Sequence, residues 1–144
     1  MKRSLLLAFL SATLLVPAAW ADSAENKRVV VEFYTQAFIK KDLQAARKFL
    51  GDEYIQHNTN KGGPDEFLKF AANLHATYPA LNSRIMRAIV EDDIVVLHVF
   101  SKRTPDEKGN AIVDFFRVRG GRVVEHWDVK QVIPDAIADP VTFF

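Results

Sequence analysis

The hydrophobic period of this chain changes once, and the place of the change limits what it can fold into. Up to Tyr78 the apolar residues return every three or four positions; from Ser83 onward they alternate, and β-branched and aromatic residues dominate. Helices first and strands afterwards predict an α+β domain, with three N-terminal helices packed on one face of a curved sheet.

The first helix is read from Val30, Phe33, Tyr34, Ala37 and Phe38, which recur at i, i+3, i+4, i+7 and i+8, with Asp22 and Glu25 spaced as a capping box ahead of them. A second, shorter helix is expected after Asp42, turning Leu43, Ala46, Phe49 and Leu50 inward and stopping at Gly51 as a left-handed C-cap. The third begins at Pro64 after the Gly62-Gly63 turn, carries Phe67, Phe70, Ala71, Leu74 and Tyr78 inward, and ends at Pro79. Four strands are predicted over 83–90, 94–102, 111–119 and 123–133. Their connections are short, so they form an antiparallel meander of hairpins.

The chain opens with Lys2 and Arg3, an apolar run from Leu5 to Val16, and small residues Ala19 and Ala21 flanking Trp20. This is the pattern of a secretory leader over residues 1–21, cleaved between Ala21 and Asp22. The run is too short for the roughly 20 residues that span a bilayer, and Pro17 interrupts its end. The expected product is periplasmic or secreted, with no membrane attachment after cleavage and one domain over residues 22–144. Without Lys2 and Arg3 the balance of 19 basic to 18 acidic residues becomes 17 to 18, which points to no nucleic-acid partner. The chain has no cysteine, so stability must come from packing, and neither a thiol nucleophile nor a disulfide is available.

Several polar groups stand inside apolar strands. His98 lies in a segment so apolar that both strand faces read as buried, which puts it in or beside the interior and among the candidate ligand contacts. Asp114 stands between Val113 and Phe115, and His126 and Asp128 flank Trp127. Buried carboxylates are costly unless paired or facing a wet cavity. A two-residue loop at Gly120-Gly121 pairs Arg119 with Arg122 and separates Asp114 from Asp128. A three-residue loop pairs Val118 with Arg122 and gathers Asp114, Phe116, His126 and Asp128 on one face. The second is favoured, because the first sets two arginines opposite each other. The rival reading is a surface sheet on which Asp114 and Asp128 pair with Arg117, Arg119 or Lys130. The four histidines have no metal-ligand spacing, so no metal is expected, and no phosphate loop or nucleophile elbow is present.

Three segments, Tyr54-Ile55-Gln56-His57-Asn58 followed by Gly62, Val113 to Val118, and Val124 to Val129, together resemble the SnoaL-like polyketide-cyclase branch of the nuclear transport factor 2-like superfamily. The resemblance extends over the chain after the leader and implies a cone with an internal apolar pocket, often a homodimer through the sheet. It further implies cofactor-free aldol or proton-transfer chemistry on a small apolar carbonyl compound. Asp128 would be the general acid/base, with His126 and Asp114 beside it and Tyr54, His57, Phe116 and Trp127 around the ligand. Two other roles fit the same fold: a binding module without catalysis, and a dimeric interaction protein whose cone is filled by side chains.

Overall fold

The computed structural model describes residues 18–58 and 62–144. The expected leader lies mostly outside the described residues, and only its last four residues enter, as helical backbone. Helix α1 (Ala18–Tyr34) runs through Asp22, so that residue is not its N-cap; Glu25 instead reaches forward to Arg28 at 2.6 Å. The helix continues into a π-helical turn, Thr35–Ile39, closed by Lys40 N–H donating to the Thr35 carbonyl at 2.8 Å. Helix α2 (Leu43–Arg47) is capped by Asp42, whose side chain accepts from Ala45 N–H. Helix α3 (Pro64–Thr77) starts with proline at its first turn, as expected. No helix among the described residues is long and apolar enough to cross a membrane.

The sheet has five strands rather than four: β1 (Leu50–Gln56), β2 (Asn82–Glu91), β3 (Ile94–Lys102), β4 (Asn110–Arg119) and β5 (Arg122–Val132), in the order β1-β5-β4-β3-β2. The antiparallel meander of β2 to β5 is present, and β1 adds to it in parallel along β5. The expected C-cap at Gly51 is therefore wrong. Leu50 pairs with Val123, and the pairing pulls Leu50 and Gly51 out of the second helix into a strand.

At Gly120-Gly121 the favoured three-residue loop is also corrected. Both glycines have positive φ, 56° and 70°, the geometry of a two-residue type I′ turn, and Arg119 does face Arg122, with both side chains in solvent. The shift of register comes two residues later. Val118 pairs with Val123, but Arg117 pairs with Glu125, so Val124 is an extra residue in β5. That bulge restores the parity that sets Asp114 opposite Asp128 and Phe116 opposite His126. It also explains Gly51, where a Cβ would come within 2.9 Å of Val124 Cγ1 on the neighbouring strand.

The core lies between the helices and one sheet face. Val30, Phe33 and Ala37 from the first helix meet Phe67 from α3 and Val95, Leu97, Val99 and Phe116 from the sheet. Phe33 is the hinge of this packing, with ring centroids 5.3 Å from Phe67 and 5.7 Å from Phe116. Strand β3 alternates strictly, and this corrects the reading of His98: Val95, Leu97 and Val99 are buried while His98 is on the opposite, outer face. The C-terminal tail crosses that outer face, its Phe144 ring 4.5 Å from His98 and 5.7 Å from Phe100.

Candidate active site

Between helices and sheet lies a cavity of about 370 Å³, lined by aromatic and aliphatic side chains that include Phe38, Phe67, Phe70, Leu74 and Phe116. Its polar groups come from alternate residues of the strands. Asp114 on β4 and His126 and Asp128 on β5 point the same way because the Val124 bulge has set their register.

His126 is held on both ring nitrogens and on its ring face. Nδ1 lies 2.8 Å from Gln56 Oε1, and Nε2 lies 3.0 Å from Asp114 Oδ1; the ring stacks on Phe116 at 4.6 Å. Gln56 Oε1 also accepts from the Tyr54 hydroxyl at 2.5 Å. An amide oxygen only accepts, so Nδ1 must carry the hydrogen, and Nε2 is the nitrogen that shares a proton with Asp114. Tyr54, Gln56, His126 and Asp114 thus form one buried chain ending on a carboxylate.

Asp114 is 6 % exposed, and its Oδ2 has no hydrogen-bond partner. Burial pushes its carboxyl above the ordinary carboxylate range; the hydrogen bond and charge of His126 oppose the rise, and the charge of Asp128 adds to it. Burial also pushes the Tyr54 phenol up, helped by the negative charges of Asp114 and Asp128, so it stays a neutral donor to Gln56. Asp128, by contrast, is exposed at the cavity mouth, where Asn58 Nδ2 donates to its Oδ2 at 2.7 Å. Desolvation therefore falls on Asp114 and not on Asp128, the acid/base that the resemblance implies, and Trp127, expected around the ligand, points to the other face of the sheet.

On that outer face the remaining expected ligand contacts collect. Trp127 stacks on His57 at 4.7 Å with planes 3° apart, and His57 Nε2 pairs with Glu125 at 2.7 Å. Arg117 bridges Glu125 and Asp93 and lies over the Trp127 ring at 5.7 Å. His57, Trp127 and His98 are thus away from the cavity, and Tyr54 acts on it only through Gln56. Phe116, His126, Asp114 and Asp128 are in its wall.

Gln56, Asn58 and Lys130 were missed as site residues. Lys130 continues the alternation of His126 and Asp128. Gln56 and Asn58 share the parity of Tyr54, a signal that has meaning only once Leu50–Gln56 is recognised as a strand.

Asp114, His126 and Asp128 are also the group of three side chains among the described residues whose ligating atoms, all within 4.8 Å of one another, could share a cation. In the arrangement present, the Asp114 hydrogen bond engages the Nε2 position that such an ion would need.

A helical layer over a mixed five-stranded sheet, with a cavity between them and a carboxylate–imidazole pair in its wall, defines the class: a nuclear transport factor 2-like α+β pocket protein. Within that class the chain belongs to the SnoaL-like domain family, whose sequence profile matches residues 30–126. No match was found among curated protein sequences. The fold is shared by several solved structures. A candidate SnoaL-like polyketide cyclase from Jannaschia sp. CCS1 is 18% identical, with a TM-score of 0.65 over 76% of this chain and 88% of that one. A candidate ketosteroid isomerase from Kribbella flavida DSM 17836 is 13% identical, with a TM-score of 0.67 over 85% and 90%. A nuclear transport factor 2-like protein of unknown function from Cytophaga hutchinsonii ATCC 33406 is 12% identical, with a TM-score of 0.61 over 74% and 89%.

Proposed function

We propose that this protein binds a small, largely apolar carbonyl compound in the cavity and moves a proton on it without a cofactor, as an isomerase or an aldol cyclase does. The observation that carries the reading is the pairing of two carboxylates in opposite environments around one imidazole. The buried Asp114–His126 pair holds a proton that it can offer to a carbonyl oxygen, and Asp128 at the mouth takes the proton from the adjacent carbon. The carbon–hydrogen electron pair becomes the enol double bond. Returning a proton elsewhere along the enol isomerises the compound, and attack of the enol carbon on a second carbonyl closes a ring. The cavity volume favours this over a filled cone, since about 370 Å³ is within the range of ligand pockets.

The test is exchange of α-hydrogen for deuterium in D2O, followed by NMR over a panel of small ketones. Asp128→Asn should slow exchange by roughly 10²-fold or more while changing ligand affinity little. Unchanged exchange with a lowered melting temperature would return Asp128 to a structural role and leave the cavity a binding site only.

Export and pairing of two chains belong to the same proposal. The leader pattern supports export. The outer sheet face supports a homodimer, because Ile89, Val96, Phe115 and Trp127 form one row across four strands, and Ile89 is 61 % exposed. Protein recovered from outside the cytoplasm should begin at Asp22 and sediment with the mass of two chains. Material that begins at Met1 refutes export, and a single-chain mass refutes the dimer.

A further inference from the structure

The cavity's charges are sorted by depth. Asp114 and His126 are inside, and Asp128 is at the mouth. Beyond them are two cations, Lys130 and Arg103, both exposed and both lining the same cavity. Among the described residues neither cation has a carboxylate within ion-pair distance, Asp128 included. The Arg103 guanidinium lies over the Tyr78 ring at 5.1 Å, and Glu107 is engaged by the Arg103 backbone N–H rather than by its side chain.

Lys130 follows Asp128 on β5 by two residues, as Asp128 follows His126. Same-face residues of a strand are spaced about 7 Å apart along it. One strand therefore presents, in order, a proton-sharing imidazole, an accepting carboxylate and a free ammonium.

We propose that the mouth is an anion subsite, and that the ligand is a carbonyl compound with an apolar body and an anionic group, a carboxylate being the simplest, at its outer end. The buried end disfavours the reverse orientation, since an anion placed beside Asp114 would be stripped of water next to a carboxyl oxygen that itself has no partner. This rests on the cavity reading above and adds the polarity of what fills it.

Two dyes of one skeleton test it by fluorescence: 1-anilinonaphthalene-8-sulfonate, which carries an anion, and N-phenyl-1-naphthylamine, which does not. The wild-type protein should bind the sulfonate about tenfold more tightly, as two charge-assisted contacts at a wet mouth allow. The double variant Arg103→Met/Lys130→Met should lose that preference and keep its affinity for the neutral dye. Equal binding of the two dyes by the wild type overturns the subsite and leaves the cavity reading standing. A preference that survives the double substitution places the anion elsewhere, the outer sheet face included, and overturns the subsite as well. If the neutral dye does not bind at all, the cavity reading fails with it.

Discussion

Asp114→Asn should lower turnover by about 10²- to 10⁴-fold and leave the melting temperature equal or higher. Asparagine fits the same space and turns its amide NH2 toward His126 Nε2, which is unprotonated when Nδ1 carries the hydrogen, so the chain from Tyr54 through Gln56 and His126 still ends on a partner. What it loses is the shared proton, because an amide does not titrate. The pH dependence of stability should change with it. Folding raises the Asp114 pKa, so the folded protein holds a proton that the unfolded chain releases. The stabilisation linked to that proton is complete below the ordinary carboxylate range and is lost as the pH climbs from there through the raised folded value. Melts across that window should show wild-type stability falling relative to Asp114→Asn as pH increases. A variant with full turnover, or one whose stability relative to wild type does not depend on pH, would remove Asp114 from the proton path.

His126→Leu should be the more damaging substitution for stability, even though it replaces a polar group with an apolar one inside a core. Asp114 Oδ2 has no partner and its Oδ1 relies on His126, so leucine leaves a buried carboxylate with no hydrogen bond at all. Breaking a buried pair from one side costs about 3–5 kcal/mol, which lowers the melting temperature by on the order of 10–20 °C in a domain of this size. The penalty should shrink toward acid pH, where Asp114 is protonated and its burial is cheaper. It should also shrink in the double variant Asp114→Asn/His126→Leu, which removes the stranded charge. Denaturant titrations of the four proteins at two pH values measure this. An additive double variant, or a penalty equal at both pH values, would show that His126 contributes only through packing on Phe116.

The site was legible from the sequence at the level of residue type and parity. Asp114, His126 and Asp128 stood out because apolar strands rarely carry such groups, and Phe116 shared their alternation. Which of the two carboxylates is desolvated was not legible. That is decided by tertiary packing, which leaves Asp114 6 % exposed in the cavity wall and Asp128, opposite it on β5, exposed. His98 was misplaced because a strand whose two faces are both apolar does not declare which face meets the helices, whereas the family resemblance alone set His57 and Trp127 around the ligand. Val96, His98 and Phe100 alternate with Val95, Leu97 and Val99 in a way that composition does not rank.

The sequence by itself determined the three helices and the meander of β2 to β5, because the change from a helical to a two-residue period is a local property of side chains along the backbone. It determined that the chain turns at Gly120-Gly121, where both glycines take positive φ, and that α3 starts at Pro64, but not the loop length at Gly120-Gly121, where the favoured three-residue loop gave way to a two-residue turn. Only the tertiary structure decided what depends on pairing between distant segments. Strand β1 exists because β5 offers it hydrogen bonds, and Leu50 and Gly51 belong to a strand although they follow a helix. The Val124 bulge packs against Gly51, more than seventy residues earlier, where a Cβ would press on Val124 Cγ1. That bulge turns Asp114, His126 and Asp128 to one side of the sheet. The chemistry of the site therefore depends on the pairing of β5 with β4 and β1, and no strand encodes that pairing alone.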